Sequence, residues 1–163
     1  MNKGITSQVF VFISALILMA LILVFGIKSI KDLTNTSENA ELGLFIKNLR
    51  DEIEVFYNND IGSSKEIKLV VPKKIEEVCF YTNKYKINKK HNDNLFNQIL
   101  DGNKNNVFIM PYGKFSMNQF KVDYLRNDPY ENPLCIKTNS VLNGFIEVKS
   151  EKEEVFVEIR RNI

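Results

Sequence analysis

Two cysteines, one histidine and no tryptophan limit the chemistry this 163-residue chain can do. Cys79 lies in Val78-Cys79-Phe80-Tyr81 and Cys135 in Leu134-Cys135-Ile136-Lys137. Both runs read as apolar strands. Successive side chains of a strand point to opposite faces, so both thiols can project from one face of a sheet, with Val78, Phe80, Leu134 and Ile136 on the other. Neighbouring strands bring Cα atoms within the roughly 4.4–6.8 Å that a disulfide needs. A Cys79–Cys135 bridge would close about 57 residues and stabilise the fold by roughly 3–4 kcal/mol. It would also require an oxidising compartment. The competing reading is two reduced thiols buried for packing. A Cys–His nucleophile using His91 would need an exposed, activated thiol, and neither cysteine context offers one.

The remaining motifs are thinner. Asn35-Thr36-Ser37 fits the glycosylation acceptor pattern, and as a cluster of cap-forming residues it also fits a helix start. Lys84, Lys86, Lys89 and Lys90 are interleaved with Tyr81 and Tyr85, a pattern that suits single-stranded nucleic acid. A net charge of only +2 makes a solvated loop the better reading. Asp101-Gly102-Asn103-Lys104-Asn105 fails as a calcium loop, because Gly is misplaced and Tyr112 stands where a bidentate acid is required. Glu76-Glu77 and Glu153-Glu154 are adjacent on strand-like sequence and point to opposite faces. There is no phosphate-cradling Gly-rich loop, no Cys-x-x-Cys and no His-Glu-x-x-His. The expectation is therefore no enzyme activity, no cofactor, no metal site, and neither a nucleic-acid nor a small-molecule partner.

The N-terminal segment sets the class. Ile5 to Ile27 is 23 residues without a charge. As a helix it spans roughly 35 Å, against a bilayer hydrocarbon core of about 30 Å. A cleaved secretory signal has a shorter apolar region and a small-x-small site, and Gly26-Ile27-Lys28-Ser29 offers none. A soluble core helix keeps polar residues on at least one face. The segment thus reads as a single transmembrane helix over 5–27, with the lipid bilayer as its first partner. Lys3 before it and Lys28 and Lys31 after it are too evenly balanced to fix orientation.

Met1-Asn2-Lys3-Gly4 followed directly by this uncharged run resembles the class III signal peptide of type IV pilin-like proteins, particularly the archaeal ones. The resemblance covers roughly the first 30 residues. It implies cleavage between Gly4 and Ile5, making 1–4 a leader and Lys3, Gly4 and Ile5 the processing residues. It also implies that the apolar helix serves as anchor and as packing core of a filament. Many members carry Glu at the fifth position after the cut, where this chain has Val9. Pilin-like proteins often continue the anchor into the head as one long helix. Here Leu42, Phe45, Ile46, Leu49, Ile53 and Phe56 form one helical stripe, and Leu33 falls about 180° from it. That phase change predicts a break or kink near 34–37, and 28–37 reads as a juxtamembrane linker.

Beyond residue 56 the period becomes two. Strands are expected at 67–71 (closed by Pro72), 78–82, 107–110, 120–125 and 134–138. One or two helical turns are expected at 95–100, and 83–94 reads as a polar loop. The C-terminal hairpin is the clearest element. Ile146 and Val148 answer Val155, Val157 and Ile159 on one buried face, Glu154, Glu158 and Arg160 lie on the other side, and 150–153 is the turn. The expected fold is α+β: a transmembrane helix, then an amphipathic helix packed on a mainly antiparallel sheet in a head domain over 38–163. The expected function is an exported, pilin-like structural subunit or cell-surface protein, single-pass in the cell membrane with the head outside. It would self-associate through the apolar helix. The alternative is a non-polymerising, membrane-tethered binding module that docks an envelope partner. A thiol enzyme is a third and weaker reading.

Overall fold

The computed structural model describes residues 3–88, 95, 97, 99 and 104–161, with side chains from Phe10 onward except Asn35. Element α1 (Lys3–Tyr57) is one helix of 55 residues. The chain divides into two compact units, Met1–Glu38 and Asn39–Ile163.

In the first unit the apolar side chains face outward. Phe10, Leu16, Ile22, Phe25 and Leu33 are all exposed. α1 therefore contains a segment long and apolar enough to cross a membrane, and none of that segment is buried against protein. The expected break at 34–37 is absent, and residues 28–37 are helical. Two side chains show how the polar cluster stays inside the helix. The Thr34 hydroxyl donates to the Ile30 carbonyl at 2.9 Å and the Thr36 hydroxyl to the Asp32 carbonyl at 2.8 Å. Both are bonds back to residue i−4, which let threonine occupy a helix interior instead of capping one. Nor does the phase of Leu33 force a bend, because Leu33 is exposed and has no core to meet.

The second unit is α+β with two four-stranded sheets, where sequence reading expected one. The strands are β1 (Ser64–Val70), β2 (Glu77–Phe80), β3 (Val107–Met110), β4 (Gln119–Phe120), β5 (Leu125–Asn127), β6 (Leu134–Lys137), β7 (Val141–Glu151) and β8 (Glu154–Arg161). One sheet has the order β1-β7-β8-β5 and the other β4-β3-β2-β6. All pairs are antiparallel except β5 with β8. The strand expected at 120–125 is instead the end of β4 and the start of β5, which belong to different sheets.

The stripe Leu42, Phe45, Ile46, Leu49, Ile53 and Phe56 is buried on α1 as its spacing predicted, and joins both sheets in one core. Each such side chain contributes about 1.5–3 kcal/mol when fully buried. Phe45 meets Phe120 edge to face, with ring centroids 6.4 Å apart. The Arg50 guanidinium donates to the Lys121 carbonyl at 3.2 Å and lies over the Phe120 ring. After α1, Gly62 turns the chain with φ +92°, a conformation glycine adopts freely. Its N–H donates to the Val148 carbonyl at 2.8 Å, which leads the chain into β1.

The expected hairpin is present, with Ile146 paired with Ile159 and Val148 with Val157. The turn is tighter than 150–153, however, because pairing continues to Glu151–Glu154 and leaves only Lys152 and Glu153 to reverse the chain. Both have positive φ, 50° and 68°, the signature of the turn that matches the twist of a two-residue hairpin. The expectation of a single buried face also needs correction. Phe156 and Glu158, on the other face of β8, are 3% and 2% exposed.

Candidate functional site

β2 and β6 are direct neighbours, and Cys79 pairs with Cys135 in the antiparallel register. The two sulfurs are bonded, across 56 residues of sequence. Alternation along the strands splits the sheet as expected. Val78, Phe80, Leu134 and Ile136 enter the main core. Cys79 and Cys135 enter a second cluster with Leu95, Ile99, Phe108 and Met110. Leu95, Asn97 and Ile99 are helical, in accord with the expected turns there. The disulfide is thus covered on its own face by apolar side chains.

The loop after β2 is held by one amide. The Asn132 side-chain N–H groups donate to the carbonyls of Thr82 and Tyr85, both at 2.9 Å, while its oxygen accepts from the Thr82 N–H at 3.2 Å and from Asn127 Nδ2 at 3.2 Å. Asn132 and Asn127 are both fully buried. This hub is not legible in the sequence, because Asn and Pro mark turns and carry no sign of burial.

The tyrosine–lysine segment is held by hydrogen bonds and ion pairs. Lys84 Nζ donates to both Glu154 oxygens, at 2.9 and 3.2 Å, and Arg126 pairs with the same carboxylate. Lys84, followed by Arg126, holds the Glu154 carboxyl below the usual carboxylate range. Arg126 also lies over the Phe156 ring, 4.1 Å from its centroid. The Tyr85 hydroxyl donates to Glu151 at 3.1 Å. Burial first, and then that carboxylate, push the Tyr85 phenol above its ordinary value. The tip of the β7–β8 hairpin is thereby clamped to the loop after β2. Lys89, Lys90 and His91 lie outside the described residues, as do Asp101, Gly102 and Asn103.

Further along the same face of β8, the buried Glu158 carboxylate accepts from Lys149 at 2.7 Å and from Arg160 Nε at 2.5 Å. Arg160 also reaches Glu147 at 3.0 Å, and the Glu158 bond raises its pKa further. Glu147 and Glu158 are register partners. Like charges placed directly opposite destabilise a sheet, and the two cations between them offset that cost.

A cleft of about 710 Å³ opens beside the clamped tip, lined among others by Tyr57, Asn106, Lys121, Tyr124, Arg126 and Glu154. Tyr57 ends α1 and stacks on Tyr124, with ring centroids 3.9 Å apart and planes 16° from parallel. Asn106 fixes the segment carrying Tyr124: its amide donates to the Val122 and Leu125 carbonyls, and its oxygen accepts from the Val122 N–H at 2.8 Å. None of these residues stood out in the sequence, where isolated aromatic and amide residues match no motif.

Lys3, Gly4 and Ile5 lie in the first turns of α1, and Asn35 in its middle. Glu76 is paired with Lys114 at 3.3 Å, apart from Glu77. No group of three or more His, Cys, Asp or Glu side chains that could hold a metal ion occurs among the described residues. Comparison with known proteins finds no matching family model, no matching curated protein and no matching solved structure.

Proposed function

We propose that the chain is a single-pass membrane protein with an exported head, built as a pilin-like structural subunit. The observation that carries this reading is α1 itself. One unbroken helix has exposed apolar side chains from Phe10 to Leu33 and a stripe buried in the head core from Leu42 to Phe56. Sequence reading counted the expected break at 34–37 against a pilin-like protein, and the unbroken helix removes that objection. The Cys79–Cys135 bridge supports an oxidising location for the head. Lys3-Gly4 before Ile5 supports removal of a four-residue leader. The apolar helix would then be free to pack against its own kind in lipid, where close van der Waals contact drives association.

A non-polymerising binding module is the second reading. It is favoured by Val9 at the place where many pilin-like proteins carry Glu, and by the cleft beside Tyr124. Intact-mass measurement and electron microscopy of the native membrane-extracted protein test both. The subunit reading expects a mature chain starting at Ile5 and found in filaments. A chain retaining Met1–Gly4, or material that never polymerises after correct processing, would reject it. In the second case the binding module stands.

A further inference from the structure

Tyr124 combines four properties. It lines the large cleft, the residue is 51% exposed, its ring stacks on Tyr57, and its backbone φ is +62°. A bulky residue rarely holds a positive φ, and such strained conformations cluster at binding sites. The fold maintains this one from two sides. The Tyr124 carbonyl accepts from the Val157 N–H at 2.8 Å, and Asn106 pins residues 122–125. The outcome is an exposed aromatic face fixed in a concave site.

We propose that this cleft binds a neutral oligosaccharide, with one pyranose ring lying on the Tyr124–Tyr57 stack. The electron-rich face of a tyrosine attracts the weakly positive C–H groups of a sugar ring. The polar lining suits a ligand rich in hydroxyls and without charge. Lys84 and Arg126 are already paired with Glu154, and Lys121 with Asp123. They supply donors and acceptors of both kinds with little net field. Asn83, Lys104 and Glu153 also line the cleft and make no hydrogen bond or ion pair among the described residues. A single-stranded nucleic acid would want unpaired cations along its backbone, and here it would meet Asp123, Glu153 and Glu154. The inference is independent of whether the chain polymerises.

The test uses the full chain in a detergent without a sugar headgroup, titrated with cellohexaose, chitohexaose and maltohexaose, and with a short oligothymidylate and an unstructured peptide. The chain has six tyrosines and no tryptophan, so tyrosine fluorescence reports directly, with saturation-transfer NMR as a second readout. At least one hexasaccharide should bind with Kd below about 1 mM, a ceiling typical of a single weak site. Tyr124→Gly should weaken it at least tenfold without lowering the melting temperature, because glycine accepts the positive φ. Tyr124→Phe should retain binding. Absence of binding by all three sugars up to about 10 mM overturns the proposal. So does undiminished binding by Tyr124→Gly, or tighter binding of the oligothymidylate or the peptide than of any sugar.

Discussion

Asn132 shows how much one side chain can organise. Its amide satisfies two buried carbonyls and accepts two N–H groups, joining the loop after β2 to the segment before β6. Buried polar groups left without partners cost about 1–3 kcal/mol each. Asn132→Ala should therefore lower unfolding free energy by about 2–4 kcal/mol, measured by denaturant titration of detergent-solubilised protein. Asn132→Asp should be no milder, since it removes the donors and buries a charge. Tyr85 gives a pH signature on the same loop. Its folded pKa is raised above the ordinary 10.0 by burial and then by Glu151. The neutral phenol is thus the form that folding favours. That contribution is fully present below pH 10 and is lost as pH rises through the higher folded value. In NMR titrations of ring-labelled tyrosine, Tyr85 should ionise after free tyrosine. Glu151→Gln should move it down while burial keeps it above the ordinary value.

Elements were legible where a single physical pattern governed them. The stripe Leu42 to Phe56, the alternation around both cysteines and the pairing of 146–148 with 157–159 each repeat at the period of one structure with one apolar face. What stayed hidden depended on partners distant in sequence. The split of 120–125 between two sheets is invisible to local pattern, because adjacent residues there answer to different neighbours. The continuity of α1 is hidden because Leu33 lies out of phase with the stripe, and phase demands a bend only where both segments must meet a core, whereas Leu33 is exposed. The cleft was missed entirely, since Tyr57, Asn106 and Tyr124 meet only in the folded chain. The hairpin turn carries a direct prediction. Lys152 and Glu153 both hold a left-handed conformation, which costs an ordinary residue about 1–2 kcal/mol. Replacing them with Asn and Gly, the pair this turn prefers, should raise the denaturation midpoint by the equivalent of about 1 kcal/mol.

At the scale of the whole molecule, the second unit is organised by a sheet with protein on both faces. β2, β3 and β6 give Val78, Ile109 and Ile136 to the core shared with α1, and Cys79, Phe108 and Cys135 to the smaller cluster containing Leu95 and Ile99. The disulfide joins the smaller side, where less apolar surface is available to hold the chain. Cys79→Ala with Cys135→Ala should cost about 3–4 kcal/mol, read from reversible unfolding. Leu95, Asn97 and Ile99 should lose amide-exchange protection before the α1 stripe does.

Strand β8 follows every other described strand in sequence, yet it is inserted between β7 and β5. Until residues 154–161 are available, β5 has no neighbour in this sheet and β7 is paired only with β1. Synthesis proceeds from the amino end, so the β1–β7 pair can form first and the sheet is completed only when β8 arrives. It must snap shut late. A chain stalled or clipped ahead of residue 154 would present sticky, half-built strands to proteases and chaperones, a built-in checkpoint against releasing unfinished copies.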